Sequence, residues 1–173
     1  MDQPHSLLQD VAVADDASGD DTLREAMELL FYAYRDFTAE PDAALAKHSF
    51  GRAHHRVIYF VARNPGIAVG ELLAILKITK QSLSRVLGQL VRESFILQQT
   101  DESDRRRRLL FLTPKGQDLE RMLTTMQCRR IAEAYDRAGP GAADGFRAVL
   151  REIINAEDRH RAARRPGGGP AAG

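Results

Sequence analysis

Arg105, Arg106, Arg107 and Arg108 stand in succession, directly after Asp101, Glu102 and Asp104. Guanidinium groups suit a narrow groove of high negative potential, because they are less costly to dehydrate than ammonium groups. A carboxylate there repels phosphate, so Asp104 is expected to act as an internal brace that holds one arginine extended. Arg106 and then Arg105 are the residues expected to enter a minor groove, with Arg107 and Arg108 shared between phosphate contact and the strand surface. Earlier in the chain a second polar set, Lys80, Gln81, Ser82, Ser84, Arg85 and Gln89, interleaves with the apolar residues Leu83, Val86, Leu87 and Leu90. Helical spacing turns Lys80, Gln81, Ser84 and Arg85 away from the apolar side and leaves Ser82 and Gln89 on its flanks. A B-DNA major groove, about 12 Å wide, admits one helix, and Gln81 can pair with adenine and Arg85 with guanine at ~1–3 kcal/mol of discrimination each. Ser82 and Ser84 are short enough to let the backbone approach phosphates.

Two elements must position these groups. Val69, Leu72, Leu73 and Leu76 have helical spacing over 69–76, Lys77-Ile78-Thr79 interrupts it, and Thr79 is a suitable cap for a helix from Lys80 to about Glu93. Two short helices joined by a three-residue turn form a helix-turn-helix. The period then changes. Phe95–Thr100 and Leu109–Thr113 alternate as strands, with Leu110 and Leu112 facing inward, so the charged run forms the tip of a β-hairpin.

Around this core the apolar periodicity predicts helices over Thr22–Thr38 (Leu23, Met27, Leu30, Phe31, Tyr34), with Pro41 beyond it in a loop, and over Phe50–Arg63, closed by Asn64-Pro65-Gly66. After the hairpin, Thr113 caps a helix over Pro114–Ala138 whose apolar side is Leu119, Met122, Leu123, Met126 and Ile131. Gly139-Pro140-Gly141 breaks it, and a last helix over about Ala142–Ala162 carries Phe146, Val149, Leu150, Ile153 and Ile154. Residues 1–20 are expected to be a disordered acidic segment and 164–173 a flexible tail. The fold class is therefore mainly α with a small β-hairpin wing: a single domain over 21–163, with the winged helix-turn-helix at about 50–113. Flanking helices at about 22–38 and 114–162 carry more apolar stripe than a small winged helix can cover, which points to dimerisation.

Composition narrows the class. The 173 residues include one cysteine, so no internal disulfide forms, and a reducing cytoplasm fits best. No apolar run reaches the ~18 residues of a membrane span. The net charge of +1 hides an asymmetry: residues 1–50 carry −8, residues 51–115 carry +7 and the rest +2. A basic middle third suggests a local polyanion-binding surface.

Three strings in this order resemble the MarR family of winged-helix transcriptional regulators: Gln81-Ser82-Leu83-Ser84-Arg85-Val86-Leu87, Asp101-Glu102-Ser103-Asp104-Arg105-Arg106 and Leu112-Thr113-Pro114-Lys115-Gly116. The resemblance covers roughly Thr22 to Glu157. Ser103 departs from it, standing where the family's wing signature usually has arginine. It implies a homodimer on a palindromic operator in double-stranded DNA, most often a repressor, and in many members release by a small ligand or oxidant. Tyr32, Tyr34 and Arg35 could line a cavity for a small aromatic effector, although Tyr34 belongs to the apolar stripe and is expected in the core.

Arg52, Arg56, Lys77 and Lys115 are further candidate phosphate contacts. His48, His54 and His55 lack the i, i+3 or i, i+4 spacing of a helical metal site and are expected at the surface or a dimer contact, so no metal or cofactor is implied. Cys128, beside Arg129 and Arg130, is expected to be a small buried hydrophobe. There is no Gly-rich phosphate loop, GxSxG, HExxH or CxxC, and no enzyme is predicted. The alternative is a winged-helix module that docks on an acidic partner without reading bases.

Overall fold

A proline inside a helix removes one ladder hydrogen bond and costs ~3 kcal/mol, yet Pro41 lies within α1 (Ala17–Ala46) in the computed structural model, which describes residues 17–163. The expected loop is corrected. Pro41 is fully buried, and the strong helix formers Ala43, Ala44 and Leu45 continue beyond it, with Ala44 and Leu45 in the core. The carbonyl that Pro41 leaves without its ladder donor belongs to Phe37, the last residue of the first of two compact units, Met1–Phe37 and Thr38–Gly173. Ala17–Asp20, expected to be disordered, form the opening of α1, where Asp20 suits the positive end of the helix and pairs with Arg24 at 2.8 Å. The remainder of the expected disordered segment, and the tail, lie outside the described residues.

In the first unit the whole apolar stripe of α1 faces solvent: Leu23, Met27, Leu30 and Phe31 are at least half exposed. Tyr34, expected in the core, shares this exposure because it lies on the same stripe.

The second unit holds the rest. α2 (Arg52–Arg63) buries Val57, Ile58 and Val61, and ends where the Asn64 side chain donates to the Phe60 carbonyl at 2.9 Å. A two-residue strand, β1 (Ile67–Ala68), precedes α3 (Val69–Leu76), whose end is turned by Lys77 in the left-handed conformation. Thr79 caps α4 (Lys80–Arg92), and Leu83, Val86, Leu87 and Leu90 are buried as expected. β2 (Ile96–Thr100) and β3 (Arg108–Leu112) pair antiparallel with Gln98 opposite Leu110, and β1 adds to the other edge of β3, Ile67 opposite Leu110. The sheet order is β1-β3-β2. Leu45, Ile58, Leu72, Leu83, Leu90, Phe95, Ile96, Leu110 and Leu123 are fully buried together, at ~1.5–3 kcal/mol for each large side chain removed from water.

α5 (Pro114–Ala138) begins at the Thr113 cap and buries Leu119 and Leu123. Met122 is exposed rather than on the packed side. Cys128 is exposed too, against expectation. At 100° per residue it projects about 140° from Leu123 and about 180° from Leu119, away from the buried stripe. The last helix divides into α6 (Ala142–Ile153) and α7 (Ala156–Ala163) rather than running unbroken. Ile154 is extended at the break, and the Arg159 guanidinium donates to the carbonyls of Ile154 and Glu152 that the helix end leaves unpaired. Phe146, Val149 and Ile153 on α6 are all exposed.

Candidate nucleic-acid interface

The N-terminus of α4 is built by Thr79, whose hydroxyl oxygen accepts the Ser82 N–H at 3.1 Å while its O–H donates to the Ser82 hydroxyl at 2.9 Å. Ser82 is thus half-buried in the cap. Lys80, Gln81, Ser84 and Arg85 are exposed, opposite the buried leucines. Backbone N–H groups and two cations therefore stand at the positive end of this helix, an arrangement that attracts phosphate. Gln89, expected among the outward residues, is half-buried: its amide oxygen lies 3.0 Å from His54 Nε2 and its amide nitrogen donates to Glu93 at 2.9 Å. Its hydrogen-bonding groups are spent within the protein, and this withdraws Gln89 from the outward set.

At the hairpin tip the acids serve the backbone. Asp104 Oδ1 accepts the Arg106 N–H at 3.0 Å, and the Asp104 carbonyl accepts the Arg107 N–H at 2.8 Å. Asp104 therefore braces the turn and not a guanidinium, because an aspartate two residues before an N–H closes an Asx turn locally. Asp101 accepts both the hydroxyl and the N–H of Ser103, which holds its carboxyl below the usual carboxylate range. Arg107 also departs from expectation. Its guanidinium lies 3.6 Å from Asp101 and 3.8 Å from Glu71, so it ties the tip to the first turn of α3. Glu71 meanwhile accepts the Ala68 N–H at 2.9 Å. Arg108 donates to the Thr100 hydroxyl across the hairpin. Arg105 and Arg106 are exposed, and among the described residues neither guanidinium has an ion-pair partner.

The further candidate cations Lys77, Arg52 and Lys115 are engaged within the protein. Lys77 pairs with Glu157 and with Asp158 of α7, and these hydrogen bonds raise its pKa and lower that of Asp158. Arg52 donates to Asp42 at 2.8 Å, and Lys115 donates to the Glu93 carbonyl at 2.8 Å with its ammonium 4.1 Å from the Phe95 ring centre. Arg56 is exposed.

The histidines are half-buried rather than surface groups. His54 Nδ1 accepts the Gly51 N–H at 3.1 Å, and its ring stacks on Phe50 at 4.7 Å; His48 packs edge-on to Phe95. Spacing alone held a signal for His54 and Glu71, each three residues into a helix after its cap, the position that reaches back to the cap N–H. Burial pushes the His55 imidazole below its ordinary value, outweighing the opposing pull of Asp42 and Glu120. The folded state thus disfavours protonated His55, while the unfolded chain takes up a proton near pH 6.5. The stabilisation is present above about pH 6.5 and is lost as pH falls from there through the folded value. Melting temperature should therefore drop between pH 7 and 5, and His55→Gln should flatten that slope. An unchanged slope would exclude His55 as its source.

Tyr32 is exposed, edge-on to Phe31, with the Arg35 guanidinium 4.9 Å from its ring centre. A cleft of about 360 Å³ in the second unit is lined by others, among them Val61, Pro65, Phe111, Gln117 and Arg121. Among the described residues no cluster of His, Cys, Asp and Glu could hold a metal, and no helix is long and apolar enough to cross a membrane.

A model of the MarR family matches residues 48–107, from the end of α1's turn to the hairpin tip. The HTH-type transcriptional regulator PetP of Rhodobacter capsulatus is 46% identical over 136 residues, spanning 79% of this chain and 82% of PetP. The chain belongs to the MarR family. Members of this family are transcriptional regulators rather than enzymes. Solved MarR-family structures share the fold: MarR itself, at 22% identity and TM-score 0.59, covers 80% of this chain and 98% of its own. A MarR-family regulator from Listeria monocytogenes, complexed with a 26mer DNA, has 16% identity and TM-score 0.66, with 82% and 97% covered. The mainly α fold with a small antiparallel sheet is thus the winged helix of MarR proteins.

Proposed function

We propose that this MarR-family regulator acts in the cytoplasm as a homodimeric repressor that reads a palindromic operator. One observation carries the proposal: Lys80, Gln81, Ser84 and Arg85 project from a capped helix whose other side is core, while at a braced tip Arg105 and Arg106 have no ion-pair partner among the described residues. Gln81 and Arg85 would read base edges, Lys80 and Ser84 would meet phosphate, and Arg106, then Arg105, would enter the minor groove. The structural neighbour solved with a 26mer DNA supports this use of the fold.

Residues 21–163 would serve as one working domain. The exposed apolar stripe of α1 and that of α6 each support pairing, since large apolar side chains left in solvent along one helix face mark an interface. A two-fold pair places recognition helices about 34 Å apart in successive major grooves. Release by a small aromatic ligand is part of the reading, and Tyr32 with Arg35 over its ring is the pairing that such a ligand would join.

Selection of bound sequences from random duplex DNA tests the whole: a palindrome with half-sites one helical turn apart is expected. Recovery of no preferred sequence would overturn it in favour of docking on an acidic protein partner. On the selected duplex, Arg85→Ala should relax one base preference at a cost of ~1–3 kcal/mol. Arg106→Ala should weaken binding while sedimentation still reports a dimer. Monomeric variants would overturn that division of labour.

A further inference from the structure

Gln81, Arg85 and Gln89 occupy positions i, i+4 and i+8 of α4, one row along the helix. The first two are exposed and the last is anchored. The anchor has a defined polarity. His54 Nδ1 accepts the Gly51 N–H, so a neutral ring carries its proton on Nε2 and donates it to Gln89 Oε1 at 3.0 Å. The Gln89 amide nitrogen then donates to Glu93 Oε1 at 2.9 Å, and the Glu93 carbonyl accepts from Lys115 at the start of α5 at 2.8 Å. The His54 ring lies flat on Phe50, with an angle of 8° between planes, and Phe50 packs edge-on against the buried Phe95. The chain of contacts thus runs from the N-terminus of α2, through the far half of α4, to the N-terminus of α5.

Leu83, Val86, Leu87 and Leu90 pack α4 against the core, and close packing opposes large rolls about the helix axis. A directed hydrogen bond on the flank adds a restraint of defined distance and angle. At a helix surface radius of ~5–6 Å, a roll of about 10° displaces side chains by about 1 Å, enough to spoil bidentate pairing with a base. We propose that His54 and Gln89 are positioning residues for base readout: the bond from Nε2–H to Oε1 sets the roll of α4, and with it the aim of Gln81 and Arg85. This rests on the DNA-reading function proposed above.

His54→Gln separates the two tasks of the histidine, because glutamine at this helical position can still reach back to the Gly51 N–H but gives up the stacked ring and the bridge. Gln89→Met removes the other end at similar volume. The full-length variants and their double combination are titrated, with melting temperatures measured alongside, against two duplexes. One is the sequence selected by the unaltered protein; the other is a scrambled duplex of equal length and composition. Each single variant should lower the ratio of selected to scrambled affinity by about five- to tenfold, as loss of one partly buried hydrogen bond would. The double variant should lose no more than either single, and the preferred bases should be unchanged. Losses that multiply in the double variant would overturn the bridge. A switch of preferred base for Gln89→Met would make Gln89 a reader instead, and ratios that stay unaltered while melting temperature falls would make the pair merely structural. If the unaltered protein itself fails to distinguish the two duplexes, the DNA-reading function is what has failed.

Discussion

Between 50 and 200 mM salt, the affinity of the proposed dimer for its selected duplex should fall about 10⁴-fold. The size of this loss follows from which cations are available. Lys77, Arg107, Lys115 and Arg52 are each committed to a carboxylate or carbonyl of the protein, so the basic middle third offers fewer phosphate contacts than its charge suggests. Lys80 and Arg85 in the first half of α4, with Arg105 and Arg106 at the tip, are exposed and are the cations proposed to meet DNA. Four in each of two copies make roughly eight contacts, and at about −0.9 per contact the slope of log affinity against log salt is about −7. Fluorescence anisotropy across that range measures it directly. A slope nearer −3.6, the value for about four contacts, would show that the tip arginines never meet DNA.

Gly116→Ala should destabilise the second unit by about 3 kcal/mol or more, lowering the melting temperature by about 6–12 °C. A β-carbon on Gly116 would stand 2.1 Å from the Phe95 carbonyl oxygen and 3.1 Å from its carbon. Both are backbone atoms. They are held in turn, because that oxygen accepts the Thr113 N–H at 3.1 Å. Relief would require α5 to move away from the strand entry. Gly70→Ala is the control: it is exposed on α3 with open space around the new carbon, and should be neutral or gain about 0.5–1 kcal/mol. Scanning calorimetry on both separates a packing clash from a general intolerance of lost glycine. A Gly116→Ala protein that melts normally would refute the close approach.

What could be read from residue order was whatever depends on neighbours within a few positions. The bounds of α3 and α5, the caps at Thr79 and Thr113 and the buried face of α4 all follow from local spacing, and each is found where that spacing puts it. β1 escaped notice because two residues carry no periodicity, and only pairing with β3 defines them. Pro41 was misplaced because burial of residues on both sides outweighed a local penalty. The break at Ile154 depends on Arg159, five residues on, reaching back to a carbonyl. The candidate site divides in the same way. Exposure of Gln81 and Arg85 was legible, but the engagement of Gln89 by His54, and of Arg107 by Glu71, joins residues 35 and 36 positions apart in the chain. Such partners have no trace in local pattern. Asp104 shows the opposite error, since a local turn hydrogen bond took the carboxylate expected to serve a guanidinium.

Thr113 has a mechanical corollary. Its hydroxyl donates to the Ser94 carbonyl at 2.7 Å and accepts from the Gly116 N–H, while Lys115 grips Glu93. The last turn of α4 and the first of α5 are thereby riveted at one hub with no slack linker. α5 extends 25 residues from that pivot, about 37 Å, and works as a lever arm. A tilt of about 5° at the hub sweeps its far end by about 3 Å, and a push of that size on the far end is returned to the hub as the same small tilt.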